Sequence, residues 1–102
     1  MIILSIKFTS ALPPERVSTL MRERSEQFRT LPGLLQKYYT QDVSNGEWCG
    51  IYLWESRAAL EEFRASELAR SIAAAYQVVG TPRFEILDVH LTLRENLLVT
   101  SS

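Results

Sequence analysis

The residues best suited to acid–base chemistry lie together near the end of the chain. His90 is the only histidine, and Asp88 precedes it by two residues. Residues two apart on a β-strand share a face, so this carboxylate could orient the imidazole. Because the pKa of a histidine lies near neutrality, His90 is a candidate catalytic base. The competing interpretation is a strand-end histidine that points into water.

A run of aromatic residues in the middle of the chain forms a second candidate site. Trp48, Tyr52 and Trp54 all have even parity, so a strand would place them on one face. With Tyr38 or Tyr39 across a hairpin, they could bind a flat aromatic ligand by stacking. Aromatic residues in strands more often serve as packing, so the core or a subunit interface is the alternative.

The other reactive residue types exclude several classes of site. A single cysteine, Cys49, cannot form an intrachain disulfide or a cysteine-based metal site, and we expect a buried thiol. The four glycines never form a phosphate-binding loop. The histidine and the acidic residues lack a recognisable metal-ligand spacing. We therefore predict no metal site and no cofactor.

The composition is that of an ordinary globular domain. The chain has 102 residues, 23% of them charged, and a formal net charge of −1. These values predict one domain over residues 1–102 and give no field that favours nucleic acid or acidic membranes. No apolar run approaches the ~20 residues of a membrane span, and the chain does not begin like a signal peptide. We therefore expect a cytoplasmic protein.

The elements that must position these side chains follow a clear order. A helix is predicted to begin at Pro14, with an apolar stripe that only Arg24 interrupts. Ser56 and Ser66 can cap two consecutive helical pieces, which Gly80-Thr81-Pro82 would end. Alternation of apolar residues predicts four strands, at residues 2–8, 34–41, 47–55 and 83–91.

This order predicts an α+β fold of the ferredoxin-like, split βαβ type (βαββαβ), with both helices on one face of an antiparallel sheet. The turn Ser44-Asn45-Gly46 would make the middle strands a hairpin. The other sheet face would keep large apolar groups, which rarely stay exposed on a monomer. We therefore expect a homodimer, with the tail, about residues 92–102, docking on the partner subunit. An RNA-recognition module has the same strand order, but its basic residue and paired glycines are missing.

Several segments carry a family resemblance. The stretch 50–56, followed by Ala58-Ala59-Leu60 and Phe63, resembles the YdhR-like monooxygenases. Residues 33–39 and 83–89 are similar to further segments of that family. The resemblance implies a dimeric α/β barrel, in which two ferredoxin-like subunits pair sheet to sheet. It also implies a ligand cavity between the sheet and the helices of each subunit.

The function implied by the resemblance is that of a cofactor-independent monooxygenase acting on a small electron-rich aromatic or phenolic substrate. A base, with His90 as the candidate, would deprotonate the substrate, and the resulting carbanion would reduce O2 directly. The alternatives are a non-catalytic small-ligand-binding protein of the same fold and a haem-binding or haem-degrading relative. Related oxygenases use Asn, Trp, Tyr or His in the cavity, whereas Asn45 and Asn96 lie in the predicted turn and the tail.

Overall fold

The computed structural model describes residues 1–94 of the chain. The strands are β1 (Ile2–Ser10), β2 (Leu34–Gln41), β3 (Trp48–Trp54) and β4 (Val78–Asp88), and the helices are α1 (Pro14–Ser25), α2 (Arg57–Arg64) and α3 (Glu67–Ala75). The strands form one antiparallel sheet in the order β2-β3-β1-β4. The predicted ferredoxin-like α+β fold is confirmed.

The predicted helix starts are also confirmed, because local sequence determines them. Pro14 occupies the first turn of α1, where its missing N–H costs nothing. The hydroxyl oxygen of Ser56 accepts a hydrogen bond from the Ala59 N–H at 3.1 Å and caps α2. Ser66 caps α3 in the same way, through the Ala69 N–H at 3.2 Å. The break between the two helices therefore lies where the sequence places it.

The end of α3 differs from the prediction. The helix stops at Ala75, and Gln77 has a positive φ of 47°. The segment Gly80-Thr81-Pro82 lies within β4, beside a register shift in the pairing with β1. Its glycine has a φ of 72°, and its proline is tolerated because β4 is an edge strand. The prediction that this segment ends the helix is therefore wrong.

The two faces of the sheet have different environments. One face packs against the helices and forms the core, with Leu4 and Trp54 almost completely buried. The opposite face, called here the open face, carries Tyr38 and Leu87, whose exposed fractions are 55% and 52%. Cys49 also lies on the open face, half-buried and 3.3 Å from the Ser5 hydroxyl, so the expected buried thiol is wrong.

Two further expectations concern the surroundings of the protein. Within residues 1–94, no helix is long and apolar enough to cross a membrane. The predicted docking tail, about residues 92–102, and Asn96 within it lie largely or wholly outside the described residues.

Candidate functional site

A cleft lies between α1 and the helix-facing side of the hairpin. On β2, Lys37 and Tyr39 lie on the side of the strand that faces the helices. They pair with Tyr52 and Gly50 on β3. Because β2 is the edge strand, these two side chains lie where the core meets solvent. The hairpin register therefore places a lysine beneath α1.

The amine of Lys37 is surrounded by aromatic rings. Its Nζ lies 3.3 Å from the ring centroid of Phe28, 4.3 Å from that of Tyr39 and 4.4 Å from that of Tyr52. Across the described part of the chain it forms no salt bridge. Burial lowers the pKa of Lys37 to about 7, and the charge of Arg24 acts in the same direction. Near neutral pH much of this lysine is a free amine, which can accept a proton.

Arg24 brings a second cation into the cleft. It projects from α1 to α3, where its Nη2 donates a hydrogen bond to the Ser71 hydroxyl at 2.8 Å. Its guanidinium carbon lies 5.6 Å from the centroid of the Tyr76 ring. The Nε of Arg24 is buried and has no hydrogen-bond partner within residues 1–94. Buried donors are normally satisfied, so this N–H is available to a ligand or to water.

Tyr39 supplies a second donor without a partner. Its hydroxyl is buried and is not hydrogen-bonded to any described residue. Burial raises the pKa of Tyr39 to about 12, so the phenol stays protonated at neutral pH. Burial likewise holds the pKa of Tyr52 far above its usual range. Both tyrosines are therefore hydrogen-bond donors, not bases, under ordinary conditions.

These groups line a cavity of about 20 Å³, called here the oxyanion cavity. This volume accommodates about one water-sized group. Arg24, Lys37 and Tyr39 lie in its wall, and none of the described residues contributes a carboxylate to it. The sign of the charges and the unpartnered donors favour a single negatively charged oxygen in this position.

A larger depression, called here the edge groove, opens from the cavity to solvent. It has a volume of about 540 Å³, within the usual range for small-molecule sites. Phe28, Lys37 and Tyr39 line both the groove and the oxyanion cavity. An aromatic ring could therefore lie in the groove while its oxygen reaches the donors.

Gly50 allows the floor of the cavity to form. The ring of Tyr52 bends back over this glycine, and a Cβ added there would lie 3.1 Å from Cε1 of the ring. A larger residue would therefore crowd the Tyr52 ring. The ring is also stacked nearly parallel to that of Trp54, with 6.2 Å between the centroids. The glycine and the stacking together hold Tyr52 beneath the lysine.

The residues singled out from the sequence are distributed over three environments. Tyr39 and Tyr52 both contact Lys37 in the cleft. Trp48 and Trp54 share their face of the sheet and pack in or against the core, outside the walls of the cavity and the groove. Tyr38 lies on the open face, and His90 is exposed beyond the end of β4. Of the six residues, the structure thus places only Tyr39 and Tyr52 in the cleft.

Arg24 and Lys37 are the site residues that the sequence analysis missed. A signal for each was present. Lys37 has the parity of Tyr39, and a hairpin with an Asn-Gly turn places that parity opposite the aromatic face of β3. Arg24 is the one charged residue in the apolar stripe of α1. A charged residue at a core-facing position indicates a buried polar partner or a ligand.

Solved structures with a similar fold include several oxygenases. SnoaB, a cofactor-independent oxygenase from Streptomyces nogalater, superimposes with a TM-score of 0.73 at 17% identity over 92% of this chain and 97% of its own. A monooxygenase from ActVA-Orf6 of Streptomyces coelicolor, in complex with nanaomycin D, gives 0.70 at 17% identity over 92% and 91%. A mutant of MhuD with two manganese protoporphyrin IX bound per active site gives 0.74 at 15% identity over 93% and 100%. At these identities the similarity establishes the fold.

The family assignment comes from the sequence itself. No match was found among curated protein sequences. The model of the family "Putative mono-oxygenase ydhR" matches residues 3–96, which is nearly the whole chain. This match confirms the resemblance noted in the sequence, and the chain belongs to the ydhR family.

Proposed function

We propose that the protein is a cofactor-independent monooxygenase that oxidises a small electron-rich phenol with O2 in the cleft beneath α1. The observation that carries the proposal is the oxyanion cavity, where Arg24 and Tyr39 present unpartnered donors beside the amine of Lys37. Membership of the ydhR family supports the reaction class. The fold shared with the cofactor-independent oxygenase SnoaB supports chemistry without a cofactor.

The first chemical step is removal of the phenolic proton. Lys37 is the base we assign, because its amine is partly neutral near pH 7 and lines both the groove and the cavity. The phenolate that forms is held by the new Lys37 ammonium, the Arg24 guanidinium and the Tyr39 hydroxyl. These groups are in place before the charge develops, which is the condition for effective electrostatic stabilisation.

The oxygen step then requires only the substrate and O2. The phenolate transfers one electron to O2, and the ring radical and superoxide combine to form a C–O bond. The Lys37 ammonium returns its proton to the peroxide, which restores the neutral amine. Loss of the ring C–H proton and cleavage of the O–O bond give a quinone and water. One ring C–H bond, the phenolic O–H bond and one O2 thus become the two C=O groups of the quinone and one H2O.

A second copy of the chain completes the proposed assembly. Tyr38 and Leu87 are exposed on the open face, where Ile3, Ile51 and Leu53 are also partly accessible. An apolar surface of this kind is usually covered, and two identical faces can cover each other around a two-fold axis. We therefore propose a homodimer paired through the open faces.

Oxygen uptake tests the proposed reaction. With 1-naphthol as the probe, the protein should consume O2 and form 1,2-naphthoquinone, because the carbon beside the C–O group lies nearest to Lys37. One atom from ¹⁸O2 should appear in the product and the other in water. Saturable binding of 1-naphthol without oxygen uptake would instead identify a non-catalytic ligand-binding protein of the same fold.

Haem binding is the remaining alternative. The only histidine, His90, lines neither the oxyanion cavity nor the edge groove, so it could not ligate an iron there. Titration with haemin checks this point, since the proposal expects no Soret shift. A stoichiometric Soret shift would replace the phenol-oxidising function with a haem-related one.

A further inference from the structure

A second pocket lies behind the oxyanion cavity, between the α2–α3 pair and β4. Its volume is about 220 Å³, and it is called here the rear pocket. Its apolar wall is formed by Ile6, Phe63, Ala69, Ile72 and Phe84. A pocket with this lining favours a small apolar molecule over a polar one.

Two arginines stand at the margin of the rear pocket. Arg64 lies over the half-exposed ring of Phe84, with its guanidinium carbon 5.5 Å from the centroid. The guanidinium of Arg70 donates hydrogen bonds to the Ala65 carbonyl and to the Glu67 carboxylate. Their charged groups are thus bound to other partners, and the aliphatic stems contribute to the pocket.

The oxyanion cavity and the rear pocket share two aliphatic side chains in their walls. Ile6 on β1 and Ile72 on α3 line both the oxyanion cavity and the rear pocket. They are 4% and 8% exposed, and they carry no polar atom in their side chains. Rotation of either side chain would therefore break no side-chain hydrogen bond.

This arrangement matters because the reaction needs two substrates in one place. A phenol in the edge groove, with its oxygen at Lys37, occupies the groove side of the cavity. The groove side of the cavity is also the charged side, with Arg24 and Lys37. An uncharged diatomic gas would meet an apolar lining on the rear side, where Ile6, Phe63 and Ile72 line the rear pocket. We propose that the rear pocket binds O2 and that Ile72 gates its passage to the substrate, an inference that rests on the proposed monooxygenase function.

Xenon probes the pocket without turnover, because it occupies apolar cavities as O2 does. We expect xenon between Phe63, Ile72 and Phe84 in xenon-pressurised crystals of the wild-type protein. Ala69→Phe, which fills the pocket from its wall, should remove this xenon. Ala73→Phe places the same ring on the exposed side of α3 and is the matched control. Absence of xenon from the wild-type pocket would overturn the inference.

Kinetics in O2 then tests the role of the pocket. Ala69→Phe should raise the KM for O2 about tenfold while leaving kcat at saturating O2 and anaerobic 1-naphthol binding unchanged. Ile72→Ala, which opens the wall, should shift the KM for O2 in the opposite direction, and it serves if Ala69→Phe does not fold. A KM for O2 within about twofold of wild type in the tested variant would show that O2 arrives by another route. If the wild-type protein itself consumes no O2 with 1-naphthol, the proposed monooxygenase function is contradicted, and this result is distinct from an unchanged KM for O2 in the variant.

Discussion

The two lysines of the chain occupy opposite faces of one sheet and show how environment decides their chemistry. Lys7, on the open face, lies 2.7 Å from the Asp42 carboxylate and 3.9 Å from that of Glu47. The hydrogen bond that Lys7 donates to the Asp42 carboxylate raises the pKa of Lys7, so it stays an ammonium. Lys37 has aromatic rings and an arginine as neighbours, and burial lowers its pKa to about 7. Only the second lysine can exchange a proton with a substrate near neutral pH.

The tyrosines of β2 repeat this contrast. Tyr38 and Tyr39 are adjacent in sequence, yet one is on the open face and the other faces the helices. Each face therefore has a lysine and a tyrosine, and of these Lys37 and Tyr39 line both the oxyanion cavity and the edge groove. Lys7 and Tyr38 on the open face are therefore matched controls for Lys37 and Tyr39 in the cleft.

Replacement of the lysines should give the largest difference. Lys37→Met removes the proposed base and should lower turnover of 1-naphthol about 1,000-fold, whereas Lys7→Met should leave it within about twofold. Lys37→Met should also be at least as stable to urea at pH 7, because a buried amine without an anionic partner is lost. Equal losses in both variants would mean that the cleft is not where the proton is taken.

Replacement of the tyrosines sharpens the same contrast. Tyr39→Phe removes one unpartnered donor from the oxyanion cavity and should lower kcat about 100-fold. Tyr38→Phe changes the neighbouring residue on the other face and should have no effect on kcat at a saturating substrate concentration. If kcat of Tyr39→Phe equals that of the wild type, the Tyr39 hydroxyl does not stabilise the phenolate, and Arg24 and Lys37 are the groups that bind it.

The pH dependence should reflect the neutral fraction of Lys37. Its pKa is lowered to about 7, so the proton-accepting amine predominates above that value and disappears below it. The kcat/KM should fall about tenfold for each pH unit below 7 and level off at higher pH. A profile that is flat between pH 5 and pH 8 would contradict the assignment of Lys37 as base.

A substitution on the open face should change subunit association, not the chemical step. Leu87→Lys places a charge in the proposed subunit interface and should raise the dimer Kd at least about tenfold. Analytical ultracentrifugation measures this change. Ala73→Lys, on the exposed side of α3, should leave the Kd unchanged. A wild-type protein that sediments as a monomer at micromolar concentration would remove this proposal.

The smallest effect should come from the only histidine. His90→Ala should change turnover by less than about twofold if Lys37 is the base. A loss of about 100-fold would instead support His90, the candidate base of the sequence analysis, and would require a contact that forms only with substrate or partner bound.

The fold could be predicted because each element carries its own signal. Strand alternation, two serine caps and an Asn-Gly turn all agree with one topology. The segment Gly80-Thr81-Pro82 was ambiguous, since glycine and proline mark both helix ends and bulges in edge strands. Only the pairing of β4 with β1 decides between them.

The site was harder to predict because it depends on registers between elements. Both parities of β2 mix polar and apolar residues, so Lys37 has the sequence environment of a surface lysine. Its burial follows from pairing with Tyr52 and from the position of α1 above it. Arg24 likewise becomes a site residue only where α1 and α3 meet, through its bond to Ser71. Tyr39 and Tyr52 could be predicted because the hairpin alone brings them together.

The unpartnered donors of the oxyanion cavity have a practical consequence for thermal unfolding. A ligand that satisfies Arg24 Nε and the Tyr39 hydroxyl binds the folded chain alone, so it must raise the melting temperature. At a concentration of 100 times its Kd, such a ligand adds about 2.7 kcal/mol to the free energy of unfolding. A library of phenols can therefore be ranked by heating the protein without O2, before any product is known. Tyr39→Phe, which lacks one of the two donors, provides the baseline for that ranking.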